Sequence, residues 1–478
     1  MQHESLIDKT TASLTTSTPL SCDEVAHGNS ADSGPSPSFI QRALSRLPMT
    51  VFWALAAQAT LSITRLLTSV TVGGRFGPGS EVELGYYSSA FSVLMLLIAL
   101  HEAFVTTPLT VFNQKQTDTQ RKSFSADMLI SSFLLIGLTA AITGLLIAVQ
   151  VGFQVVKPAL GAGLIAAAAL APLQLLREFS RRWLLANLAV KASAFLEFLF
   201  AGVYLLILGG LVYAANVSAV GVFIAIACVN AIGLAVWWYI YRGEFQFNSE
   251  SRSQQVTENF RYGRWVAGEN VCSTFTNYMC IWFLTFQIDE GAAGVFFACF
   301  TIMMLANPFL LGISSVLAPR AAQEYVKGGW TAMRPVLMNY GGFILLVLLS
   351  FAGVLFYFGD QLTLAFFGPK FSAYFAEHFE GRNTITSTLG FAMPLLGLSF
   401  VFTMGLLAAG RPHDSFYSAI VALIALIVAN FSFNQPTLET AAISFVISIA
   451  VGTACRLIFL LRAYASSSDS PATLDSSS

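Results

Sequence analysis

The chain has 478 residues, of which 55% are apolar, 41 are Phe and only 11% are charged. A typical soluble domain carries about 25% charged residues, so a string of water-dressed domains is excluded, and a mean hydropathy of +0.67 points to a polytopic membrane protein. Twenty-five basic residues against 26 acidic ones leave a net charge of −1, which excludes a basic nucleic-acid binder.

Residues 1–45 are rich in Ser and Thr, with Asp23, Glu24 and Asp32 among them and no apolar stretch of the kind a secretory signal needs. They read as a disordered cytoplasmic tail, and so does 464–478. Between the tails, runs of roughly 20 apolar residues recur, the length that crosses about 30 Å of hydrocarbon. They fall near 48–74, 84–112, 126–149, 156–176, 185–213, 217–241, 265–288, 291–316, 338–359, 387–410, 413–432 and 439–462, which makes twelve spans in an all-α fold. The fourth and fifth are the hardest to separate, because the apolar stretch resumes straight after Arg182.

With the N-terminus inside, 19 basic residues fall on cytoplasmic segments, among them Arg177, Arg181, Arg182, Arg456 and Arg462. Only Arg75, Lys157, Lys370 and Arg382 fall outside. That asymmetry is a positive-inside signal and puts both termini in the cytoplasm. The six cysteines form no CxxC pair and read as small hydrophobes rather than as a metal or disulfide framework.

The longest polar cytoplasmic segment, 242–264, follows the sixth span and divides the chain into six-helix bundles at 46–241 and 265–463. Gln58, Ser62 and Arg65 in the first span are matched 211 positions later by Glu269, Ser273 and Thr276, and Pro108 by Pro319. GYYSSAF at 85–91 echoes GVFFACF at 294–300. Two halves of six spans enter the membrane from the same side. The repeat is therefore parallel, as in transporters whose substrate site lies between two pseudo-symmetric halves.

Charges at bilayer depth are costly and face a bundle interior or a watery cavity. Gln58, Ser62, Arg65 and Ser69 share one face of the first helix, and Glu269, Ser273, Thr276 and Cys280 share one face of the seventh. The two stripes are expected to face each other across a central cavity that binds substrate. Arg65 carries a permanent charge and a planar fork of donors suited to phosphate oxygens. A structural ion pair with Glu102 of the second span is the other role open to it. Glu102 and Glu197 are candidates for ion coupling, since burial and neighbouring charges move a carboxyl pKa. His101 and Lys191 read as structural.

The stretch from Phe52 to Asn113, with Gly77, Pro78, Gly85 and Tyr87, resembles the opening of the polysaccharide-exporter and O-antigen flippase families. REFSRR at 177–182 looks like the basic loop after the fourth helix of that group, and FFGPKFS at 366–372 with LLGLSFVFTMGLLAAGRP at 395–412 is similar to its tenth-helix region. The resemblance covers about 45–465 in layout and implies the superfamily that includes multidrug (MATE) exporters. The implied fold is two six-helix bundles in a V around a central cavity. The implied substrate is a lipid-linked oligosaccharide or polysaccharide precursor, moved across the inner (plasma) membrane by alternating access. Membrane lipid and polysaccharide-assembly proteins are the implied partners. The sequence departs from that group in the second half, which offers Glu269 and Thr276 but no evident central arginine.

A proton- or sodium-coupled exporter of organic cations is the alternative within the superfamily. A membrane enzyme would need a catalytic loop, and the EHFE cluster at 377–380 reads as ordinary solvated surface. The sequence contains no P-loop, zinc motif or nucleophile elbow, so neither a cofactor nor a metal is expected.

Overall fold

The computed structural model describes residues 49–76, 80–113, 118–153, 157–247, 252–371, 384–433 and 435–468. Both tails, the Gly77–Pro78 turn and the EHFE cluster lie outside the described residues.

Twelve helices run through the described residues. They are α1 (Met49–Val72), α2 (81–112), α3 (Asp118–Phe153), α4 (Pro158–Ala186), α5 (Val190–Tyr213) and α6 (Ala219–Tyr241). Then come α7 (Arg252–Gln287), α8 (290–327), α9 (330–367), α10 (384–408), α11 (Pro412–Ser432) and α12 (Leu438–Ser468). Gly328 and Gly329 leave helical geometry and separate α8 from α9, with Gly329 at a φ of 60°. Ten helical segments among the described residues are long and apolar enough to cross a membrane. Helices α1 and α7 fall outside that set, and these are the two that carry the polar stripes.

Large apolar side chains point outward as well as inward. Leu134, Leu138, Ile142 and Leu145 on α3 are all more than half exposed, a pattern that suits lipid rather than water. The interior is filled by aromatic residues such as Phe223, Phe296, Phe367 and Phe445, each almost wholly buried. Helix α2 passes through a π turn at Glu102–Thr106 just before Pro108. Proline has no N–H to give and clashes with the carbonyl four residues back, so the wider turn relieves it.

The N-terminal ends of α2 and α8 are built alike. Ser80 and Asp289 cap them by accepting from the backbone N–H three residues on. A Cβ on Gly85 would lie 1.8 Å from the Glu290 carbonyl oxygen, and one on Gly294 would lie 1.9 Å from that of Glu81. Each contact is the mirror of the other at a constant offset of 209 positions, the reciprocity that a two-fold axis imposes. The repeat read between 85–91 and 294–300 is thus a physical contact, possible only because neither helix carries a side chain there.

Helix α4 corrects one reading. Residues 177–182 form no loop but two of its last turns, and the connection to α5 is only Asn187–Ala189. The N–H of Ala189 bonds to the Leu184 carbonyl and that of Leu188 to Leu185, with Leu188 at a φ of 59°. This is a Schellman stop whose left-handed residue is a leucine, where glycine is usual. Likewise α7 begins at Arg252, inside the segment expected to be a linker.

Candidate functional site

Helix α1 carries many hydroxyls in apolar surroundings because most of them bond to their own backbone. Thr60, Thr64, Thr68, Ser69 and Thr71 each donate to the carbonyl four residues earlier, at 2.7–3.0 Å. Arg65 is the one ionisable residue on this helix. Its guanidinium makes no ion pair among the described residues, and the residue is exposed to the cavities around it.

Two cavities meet at Arg65. One, of about 80 Å³, lies among α1, α2, α4, α5 and α6 and is lined by Tyr87, Gln174, Arg177, Tyr204 and Asn230. The other, of about 110 Å³, lies among α1, α2, α7 and α8 and is lined by Ser62, Ser69, Phe91, Tyr278 and Phe297. Their walls are held in place by buried hydrogen bonds, Asn230 to Gln174 at 2.8 Å and Thr68 with the Tyr204 hydroxyl at 2.9 Å. Tyr87 stacks on Phe223 with ring centroids 5.2 Å apart. Gln58 sits apart from Arg65, in a neighbouring cavity of about 120 Å³ with Arg181 and Glu197.

The carboxylates nearby are already taken. Glu197 bonds to Arg177, and Glu102 bonds to Arg182. Arg181 bonds to Glu178 through Nη2 at 2.7 Å and Nε at 3.1 Å, and its Nε stands 4.0 Å from Glu197. The pairing of Arg65 with Glu102 left open above is therefore not made. Arg177 also lies over the Phe200 ring, 4.8 Å from its centroid. Arg177, Arg181 and Arg182, counted as loop cations on sequence, are helical residues that neutralise three acids. Three guanidiniums thus pair with three carboxylates, and Arg65 is left without a carboxylate among the described residues.

The stripe on α7 faces elsewhere. Glu269, Ser273 and Thr276 line a cavity of about 330 Å³ with residues of α10, α11 and α12. The two stripes do not share a cavity, contrary to the expectation from sequence, because α7 turns its polar face into its own half. Arg456 is the second correction. It does not belong to a cytoplasmic end but is 8% exposed within this cavity, three turns before α12 stops. It donates to Ser399 Oγ at 2.8 Å and lies 3.6 Å from Glu269, which also accepts from Ser415. The second half therefore does hold an interior arginine, one that is already paired.

At the N-terminal ends of α4 and α8, Lys157 bonds to Glu290 at 2.6 Å, next to the Gly85 contact. That hydrogen bond and the carboxylate's charge raise the ammonium's pKa above its usual value. The five described cysteines are free thiols, and no cluster of metal-ligating side chains occurs among the described residues.

No protein-family model matches the chain, and no curated protein matches it in sequence. Solved structures do. An inward-facing multidrug-resistance MATE family transporter of the MOP superfamily aligns over 87% of this chain and 100% of its own, at 15% identity and a TM-score of 0.69. An outward-facing structure of a transporter so described aligns over 87% and 95%, at 12% identity and a TM-score of 0.64. The chain has the MATE fold. A mutant of the Vibrio cholerae MATE transporter VcmN matches similarly, over 87% and 96%, at 14% identity and a TM-score of 0.65. At these identities the likeness extends to the fold alone and says nothing of substrate.

Proposed function

We propose that the protein is a membrane transporter that flips or exports a lipid-linked, phosphate-bearing sugar precursor by alternating access between two six-helix bundles, 46–241 and 265–463. One observation carries the reading. Arg65 is a guanidinium with no ion pair among the described residues, at the junction of two aromatic-lined cavities, while Arg177, Arg181 and Arg182 occupy nearby carboxylates. A planar cation with free donors suits the oxygens of a diphosphate, and the aromatic walls suit sugar faces and isoprenoid carbon.

Gln58, Ser62 and Ser69 supply further donors along the same helix. Glu269, Ser273 and Thr276 offer a second polar cavity in the other half. Glu102 and Glu197 serve ion coupling, if the cycle uses an ion, by exchanging their arginine partners for a proton or cation. Fifteen basic residues remain on the proposed inner segments once Arg177, Arg181, Arg182 and Arg456 are assigned to the interior, against four outside. This supports an inner-membrane protein with both termini cytoplasmic.

A proton- or sodium-coupled exporter of organic cations is the second reading, and the likeness to multidrug MATE structures favours it. Such a site needs an available carboxylate, and around Arg65 each is already bonded. Binding in detergent separates the two. A polyprenyl-diphosphate sugar is expected to bind saturably and to lose about tenfold or more in affinity in Arg65→Ala, the worth of a charged hydrogen bond. Saturable binding of a lipophilic cation alone, equal in wild type and variant, would overturn the first reading and support the second.

A further inference from the structure

A cavity of about 420 Å³, larger than those at Arg65, lies between α9, α10 and α12. Its walls are apolar, with Leu345, Leu398, Phe402 and Leu457 among them. Its floor is open because no atom lies within 4 Å of where a Gly342 side chain would begin, and the neighbour nearest to Gly341 is 3.6 Å away. Met338 and Leu461 on its rim are 62% and 56% exposed, so the groove opens sideways rather than into the bundle.

One charged side chain lines it. Arg334 stands at one end with its guanidinium 5.8 Å from the centre of the Tyr464 ring, and it has no carboxylate partner among the described residues. Trp330 lies beside it, and Trp and Tyr at such a position mark the membrane–water boundary. From Arg334 to Leu345 the helix climbs about 16 Å, close to half of the roughly 30 Å hydrocarbon core. The groove is therefore one leaflet deep, with a cation at its mouth.

We infer that this groove holds one anionic glycerophospholipid of the inner leaflet, with its phosphate on Arg334 and an acyl chain along α9. An apolar slot of leaflet depth fits a chain, and a lone guanidinium at the boundary favours a headgroup of net negative charge over a zwitterion. The site is distinct from the Arg65 cavities and does not depend on what they carry.

Native mass spectrometry of the full chain released from detergent tests the inference, with phosphatidylglycerol, phosphatidylcholine and a polyprenyl diphosphate supplied at equal concentration. Wild type is expected to retain one phosphatidylglycerol in preference to phosphatidylcholine. Arg334→Gln should reduce that retention about fivefold, the contribution of one basic residue at an anionic surface. Gly342→Leu, which fills the floor, should reduce it too, while Arg65→Ala leaves it unchanged. Equal retention of the two phospholipids by wild type, retention unaffected by both groove variants, or a preference for the polyprenyl diphosphate that persists in Arg65→Ala would overturn the inference.

Discussion

Arg177 and Glu197 have side chains only 13% and 3% exposed, so little water remains to solvate either charge. Removing one partner strands the other, a change that costs about 3–5 kcal/mol for a buried pair. Glu197→Gln and Arg177→Gln are each expected to lower the thermal stability of the purified protein by an amount of that order. The double variant should be more stable than the sum of the two losses allows. Additive losses would show that the pair is not coupled. The pair of Arg182 and Glu102 is a contrast, since both side chains are about a third exposed. Its loss is expected to cost about 1 kcal/mol or less. The acids of both pairs are visible in the sequence as charges inside apolar runs, but their partners are not. An ion pair between residues 20 or 80 positions apart leaves no local pattern, and three arginines in a row of six read as a loop. Arg456 was hidden for a related reason, since a charge near the end of the last span looks like a boundary residue until the helix is seen to run on for three more turns.

At the scale of the element, what matters most is how α2 meets α8. Gly85 and Gly294 let the two backbones touch, and a methyl group on either would strike a carbonyl oxygen rather than a movable side chain. Gly294→Ala must push the helices apart, and overpacking of this kind costs about 1–3 kcal/mol or more. Gly291→Ala on the same helix is the control, because its Cβ would meet only side-chain atoms, at 3.2 Å and beyond. Gly294→Ala is expected to melt well below both wild type and Gly291→Ala. If the two alanine variants melted together, the close approach of α2 and α8 would be wrong. The glycines were legible in the sequence as an echo between 85–91 and 294–300, although nothing there says that the echoing residues touch. The count of twelve helices was legible too, because length and apolarity decide which segments cross a bilayer. The end of α4 was not, for the chain turns at Leu188 without the glycine or proline that usually announces a stop.

Considered whole, the molecule leaves little free volume around Arg65, although the side chain itself is exposed. The two cavities that meet there measure about 80 and 110 Å³, small beside the roughly 300–1,000 Å³ of an ordinary ligand pocket. On the proposed reading substrate reaches Arg65 when the halves part, and the contacts between α2 and α7 are among those that would break. Helix α2 is tied to α7 by Trp282 Nε1 donating to Ser92 Oγ at 2.6 Å and by the Ser89 and Thr285 hydroxyls 3.2 Å apart. Hydroxyls this close make the pair a candidate for an engineered disulfide, which forms where the Cβ atoms come within about 3.5–4.5 Å. The variant Ser89→Cys with Thr285→Cys should therefore cross-link on oxidation, and the intact mass reports the bond. On the rocking mechanism proposed here, the oxidised protein cannot open along this seam, so substrate movement in proteoliposomes should stop and return on reduction. Each single-cysteine variant should be insensitive to the oxidant. Undiminished transport by fully cross-linked protein would mean that α2 and α7 travel together, and the opening would have to be sought between α1 and α8 instead.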